Sequence, residues 1–116
     1  MKNIERYFLR KYSPREVEDL IECTQSQIHG LIGRPLRMIV FGSALTDHFD
    51  QQSDLDLVLI FPDQLSAKKA EKILYRNAQN FQIPIDFLCV DEGTHENKSN
   101  AGGVFWIAAR EGREVS

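Results

Sequence analysis

The 116-residue chain has two cysteines, no long apolar run and no large excess of charge. Cys23 and Cys89 lie far apart without metal-ligand spacing, which favours free, buried thiols over a disulfide framework. No apolar run approaches membrane-spanning length, and the amino terminus lacks the apolar region of a signal peptide. A cytoplasmic location is therefore expected. The net charge of −3 excludes general polyanion binding through bulk charge.

Positive charge is absent from the middle of the chain. Between Arg37 and Lys68 there is no lysine or arginine, although this segment contains five aspartates. Two of them, Asp54 and Asp56, open the apolar run 57–60, where an unpaired charge is unfavourable. Because the neighbouring sequence supplies no counter-charge, a bound divalent metal ion is the natural candidate for one.

The length and composition predict a single domain, residues 1–116, with room for a hydrophobic core. Ser13, Pro14 and Glu16 form the capping signature of a first helix, which Gly30 and Gly33 bring to an end. After this helix, the pattern predicts a strand at 36–41, a short helix at 44–49, a strand at 54–61, a helix at 66–81, a strand at 83–90, a polar loop at 91–103 and a helix at 104–111. This order indicates an α/β (α+β) fold, with a small mixed sheet of three to four strands flanked by helices.

Three carboxylates are predicted to share one face of this sheet. Asp54 and Asp56 lie two residues apart on a strand, so they point to the same face, about 7 Å apart. Leu55 and Leu57 then point to the opposite face, into the core. Asp86 is the one acid in the third strand, and it joins the same face if that strand pairs beside the second. Such hard oxygen ligands suit Mg²⁺ or Mn²⁺, and the alternative is that the acids simply face solvent at the start of a strand.

A glycine turn follows the first strand at Gly42-Ser43. A glycine turn that leads into a helix presents backbone N–H groups to an anion, and Ser43 adds a hydroxyl. A nucleoside triphosphate could place its β- and γ-phosphates on this turn and its metal ions on the aspartates. Ser53, directly before Asp54, is assigned to the same nucleotide site.

Gly42-Ser43, Ser53-Asp54-x-Asp56 and the later Asp86 resemble the signature of the polymerase-β-like nucleotidyltransferase superfamily. The small size is similar to its minimal nucleotidyltransferase branch, and the resemblance spans residues 36–112. It implies a polymerase-β-like core that transfers a nucleoside monophosphate, AMP from ATP or another NTP, to a hydroxyl. It also implies Asp54 and Asp56 as metal ligands, and Asp86 as the third ligand and the base for the acceptor.

The same resemblance implies a partner protein. Minimal nucleotidyltransferases are often paired with a helical HEPN-domain protein in toxin–antitoxin modules, so a HEPN-like acceptor and a hetero-complex or oligomer are expected. Many relatives carry Arg-Gly shortly after the Gly-Ser pair, where this chain has Thr46-Asp47. This departure removes a phosphate-binding cation, and it favours the rival interpretation of an antitoxin-like binding module with weak or no catalysis.

The sequence does not identify the acceptor. The core uses nearly the whole chain and leaves no separate acceptor-binding domain, which favours a macromolecule over a small-molecule hydroxyl. An RNA 3′ end is the alternative to a protein. A basic helical face, formed by Lys68, Lys69, Lys72 and Arg76, is either a solvated surface or a site of attraction for triphosphate or RNA. The basic and aromatic stretch 6–12 is either a nucleic-acid arm or a segment that covers the core.

Overall fold

The computed structural model describes residues 10–115. The first part of the basic and aromatic stretch, residues 6–9, lies outside the described residues. The elements in chain order are α1 Pro14–Ile32, β1 Arg37–Phe41, β2 Leu55–Phe61, α2 Gln64–Asn77, β3 Ile85–Asp91, α3 Glu92–Ser99, α4 Val104–Glu111 and β4 Arg113–Val115. Short 3-10 turns lie at Gly42–Leu45 and Ala78–Asn80. The predicted mixed α/β fold is thereby confirmed.

Four strands form one mixed sheet in the order β3-β2-β1-β4. β1 runs antiparallel to β2 and β4, whereas β2 and β3 are parallel and joined by α2. The third strand pairs beside the second, which is the condition under which Asp86 shares a face with Asp56. Because β1 is antiparallel to β2, the end of β1 lies beside the starts of β2 and β3, at one end of the sheet.

The two faces of the sheet are packed differently. On the first face, Leu55 and Leu57 are fully buried, as predicted. They belong to a core that includes Ile21 of α1 and Leu74 of α2, and each buried leucine contributes about 1.5–3 kcal/mol. The second face carries a smaller cluster, formed by Ile39, Val58, Ile60 and Ala108. α4 therefore covers the middle of the second face and leaves the strand starts open.

The first helix begins as its sequence predicts. The Ser13 hydroxyl accepts a hydrogen bond from the Glu16 N–H at 3.2 Å, and the Glu16 carboxylate accepts one from the Ser13 N–H at 3.0 Å. Pro14 occupies the first helical position. At the other end, Gly33 has φ 79° and donates its N–H to the His29 carbonyl. Local capping thus defines both ends of α1.

The predicted polar loop at 91–103 is wrong, because Glu92–Ser99 forms α3. The Asp91 side chain starts the helix by accepting hydrogen bonds from the Thr94 hydroxyl at 2.6 Å and the Thr94 N–H at 3.0 Å. These bonds also hold the pKa of Asp91 below its usual range. α3 lacks an apolar stripe, and its buried residue is His95, which packs edge-on against the Phe105 ring. A helix stabilised by a cap and one histidine contact has no apolar periodicity to reveal it.

Of the two predictions about the cysteines, one is confirmed and the other is wrong. Cys23 and Cys89 are free, as predicted, but both are half-buried rather than buried. Burial still raises the pKa of the Cys89 thiol to about 12. None of the helices within residues 10–115 is both long enough and apolar enough to cross a membrane.

Candidate functional site

Two of the three predicted acids are direct neighbours across parallel strands. Asp56 of β2 and Asp86 of β3 are register partners, so both side chains project from the same face of the sheet. Asp54 lies one residue before β2 and is exposed. Asp56 and Asp86 therefore stand at the strand starts, on the face whose middle is covered by α4, and Asp54 precedes them on the loop that leads into β2.

The three acids concentrate negative charge without a cation beside them. Partial burial raises the pKa of Asp56, and the charges of Asp86 and Asp54 raise it further. Within residues 10–115, the four ion pairs do not include any of these carboxylates. In the part of the chain that the structure describes, no ion pair supplies the counter-charge that the neighbouring sequence also lacks.

The donor chemistry of this acid group suits a hard divalent ion, since carboxylate oxygens are the ligands that Mg²⁺ and Mn²⁺ prefer. In the described part of the chain, however, no three His, Cys, Asp or Glu side chains are arranged to hold a metal ion. Mutual repulsion keeps like charges apart. A metal ion held by Asp54, Asp56 and Asp86 requires their carboxylates to turn toward a common point.

The Gly42–Leu45 turn lies directly against Asp56. Phe41, the last residue of β1, is the register partner of Asp56, and Gly42 follows with φ 76°. A Cβ at Gly42 would overlap the Asp56 carboxylate oxygen Oδ2. Glycine is thus required both by the left-handed backbone and by the close approach of a catalytic candidate.

The turn is shorter than predicted. The short helix expected at 44–49 is one 3-10 turn, Gly42–Leu45. It ends where Thr46 folds back, because the Ser43 carbonyl accepts hydrogen bonds from the Thr46 N–H at 3.0 Å and the Thr46 hydroxyl at 2.8 Å. Ser43 itself is half-buried in this turn.

Ser53 stabilises the loop that leads into β2. Its hydroxyl accepts a hydrogen bond from the Asp50 N–H at 3.1 Å, and its N–H donates to the Asp50 carbonyl at 3.0 Å. The Asp50 carboxylate also accepts the Gln52 N–H at 2.8 Å. In this arrangement Ser53 positions Asp54, and its contact with a nucleotide stays a prediction.

A pocket of about 430 Å³ adjoins the second half of the turn. Ala44, Leu45 and Thr46 form one side of it, and Lys11 and Arg113 reach it from the two ends of the described chain. Lys11 belongs to the basic and aromatic stretch 6–12, but no sequence pattern places it beside Arg113, because almost the whole chain separates the two. Only the pairing of β4 with β1 and the contact of Lys11 with the site loop bring them together.

Comparison with known families identifies the chain. The sequence model of the family described as "Nucleotidyltransferase domain" matches residues 24–102, which is more than half of the chain. This range includes the Gly42–Leu45 turn and Asp54, Asp56 and Asp86. No curated protein and no solved structure matches the chain. The chain belongs to the nucleotidyltransferase domain family and is an enzyme of nucleotidyl transfer.

Proposed function

We propose that this nucleotidyltransferase transfers AMP from ATP to a hydroxyl group of a partner protein, in a reaction that depends on Mg²⁺ or Mn²⁺. The observation that carries the proposal is the register pairing of Asp56 with Asp86, directly beside the Gly42 turn. Acids and anion-binding backbone meet there at one open end of the sheet. A divalent ion and an NTP are the usual requirements of this family, and the donor set suits both.

Two parts of the site have different roles: one binds the nucleotide and the other accepts a proton. The N–H groups of the Gly42–Leu45 turn bind the β- and γ-phosphates, as backbone donors at such turns bind anions. Asp86 accepts the proton of the acceptor hydroxyl. The freed oxygen attacks the α-phosphorus, the bond between that phosphorus and the bridging oxygen to the β-phosphate breaks, and pyrophosphate leaves.

Asp54, Asp56 and Asp86 are the residues that would hold the metal ion. When bound, such an ion neutralises phosphate charge and polarises the phosphorus centre. The charged form of Asp56 is disfavoured, because partial burial and the charges of Asp86 and Asp54 all raise its pKa. Its carboxylate also lies against Gly42.

A partner protein of the HEPN type is the acceptor we favour over RNA. Leu88 lies two residues beyond Asp86 on β3, on the same face, and is 38% exposed. β3 is one of the two edge strands of the sheet in the described part of the chain. Leu88 offers an apolar contact to a polypeptide that docks beside the acids, and this contact favours a protein acceptor over RNA. The basic face of α2 lies on the side of the sheet opposite the acids.

Transfer to a partner can be tested with the wild-type protein and an Asp86→Asn variant. Each is incubated with α-labelled NTP, Mg²⁺ and the product of the adjacent gene, and mass spectrometry identifies any protein that gains a nucleotide. We expect the partner to gain AMP only with the wild type. Asp19→Asn, which removes another exposed acid, from α1, should leave transfer unchanged.

Other outcomes would favour the alternatives. Labelling of RNA 3′ ends instead of protein would contradict the proposed acceptor but retain the reaction. An Asp86→Asn variant that neutralises the partner fully, together with a wild type that transfers nothing, would support the binding-module interpretation. That interpretation rests on Thr46-Asp47, which stands where many relatives have Arg-Gly.

A further inference from the structure

The Gly42–Leu45 turn has two ends with different neighbours. Its first residue, Gly42, contacts Asp56, whereas its last residues, Ala44 and Leu45, line the pocket that also contains Lys11. The pocket is also lined by Val17 and Glu18 of α1, which packs on the first face of the sheet. A triphosphate with its α-phosphate at the acids therefore reaches the pocket only if its other phosphates pass along the whole turn. On that path, its far end comes to the pocket that Lys11 lines.

Lys11 is anchored to the site loop by its backbone. Lys11 and Asp50 form an isolated antiparallel bridge. The next residue, Tyr12, donates its N–H to the Phe49 carbonyl at 2.9 Å, and the two rings lie 5.5 Å apart. Phe49 is almost fully buried, so this attachment fixes the lysine backbone relative to the turn. Only the flexible side chain has to move to reach a ligand.

Among the described residues that line the pocket, Lys11 is the cation that no carboxylate holds. The Arg113 guanidinium is held by the Glu18 carboxylate in two hydrogen bonds, of 2.5 and 3.1 Å. Asp47, which also lines the pocket, lies 3.4 Å from the His48 imidazole, a contact that is an ion pair only when His48 is protonated. Within residues 10–115, Lys11 takes part in no ion pair. Its ammonium group is exposed and free to bind an anion.

We propose that Lys11 binds the terminal phosphate of the NTP, and so supplies from the amino-terminal segment the cation that Thr46-Asp47 cannot provide. This inference rests on the proposed function, because it assumes that the triphosphate follows the turn. An ammonium group is a common phosphate ligand, and its contact with phosphate is a charge-assisted hydrogen bond. Lys11 is then a substrate-binding residue, since it touches a phosphate that does not react.

The test compares nucleotides that differ in the number of phosphates. Calorimetry measures the affinity of wild type and Lys11→Gln for ATP and for AMP, both with Mg²⁺. We expect Lys11→Gln to weaken ATP binding about tenfold, the effect of losing one hydrogen bond to a charged group. AMP binding should not change. In transfer assays the KM for ATP should rise while kcat is preserved, and Lys11→Arg should retain most of the affinity.

The control is Lys68→Gln, which removes the same charge from α2, near the opposite end of the sheet. It should leave ATP affinity at the wild-type value. Equal ATP affinity in wild type and Lys11→Gln, or an equal loss for ATP and AMP, would overturn the inference while the proposed function stands. A wild-type protein that binds none of the four NTPs with Mg²⁺ would instead overturn the proposed function itself.

Discussion

Asp56→Asn is expected to reduce nucleotidyl transfer by about 10³-fold, because metal ions contribute several kcal/mol to such reactions and 1.36 kcal/mol corresponds to tenfold in rate. The same change should raise the melting temperature of the metal-free protein. In the folded state Asp56 is partly buried and faces the charges of Asp86 and Asp54, and asparagine removes that repulsion at nearly constant volume. Transfer assays and thermal unfolding measure the two effects.

A substitution that lowers activity but raises the melting temperature indicates that the replaced acid has a functional rather than a structural role. Asp19→Asn should change neither property, because Asp19 is exposed on α1. If Asp56→Asn lowered the melting temperature and left transfer intact, Asp56 would be a structural residue, and the acid group would lose its assigned role.

Gly42→Ala is expected to impair both folding and catalysis. The left-handed backbone at φ 76° costs a residue with a Cβ about 1–2 kcal/mol. The added Cβ would also overlap Asp56 Oδ2, so the carboxylate has to move. A displacement of about 1 Å in a catalytic group costs about 10²-fold in rate. Urea unfolding and transfer assays at a temperature where the variant remains folded measure these effects.

Gly33→Ala provides a matched control for this prediction. Gly33 has a similar φ of 79°, but nothing lies within 4 Å of an added Cβ. It caps α1 far from the acids along the chain. We expect a comparable loss of stability and no loss of catalytic rate. Equal rates for Gly42→Ala and the wild type would show that the turn does not position Asp56.

Much of the fold and of the site could be predicted because the signals are local. The capping residues of α1 and the apolar runs of β2 and β3 each indicate their element directly. The spacing of the acids predicts a shared face once the two strands pair. Even the glycine turn is visible from its position after β1, although its 3-10 geometry and its contact with Asp56 are not.

What the sequence left undetermined depends on tertiary contacts. α3 has little apolar periodicity, and the contact between His95 and Phe105 becomes visible only after the chain folds. The pocket that contains Lys11 joins the two ends of the chain through a β-bridge and a strand pair. Contacts between segments that lie far apart along the chain produce no recurrent spacing of residues from which they could be predicted.

The central claim is that Asp54, Asp56 and Asp86, together with the Gly42 turn, bind the metal ion and its nucleotide. Manganese with ATP tests it most directly, because paramagnetic Mn²⁺ broadens the NMR signals of nearby amides in the isotope-labelled protein. We predict that substoichiometric MnATP broadens the amides of Gly42, of residues 54–57 and of Asp86, and that Asp56→Asn abolishes this effect. Broadening confined to other acidic surfaces, or none at millimolar MnATP, would contradict the account.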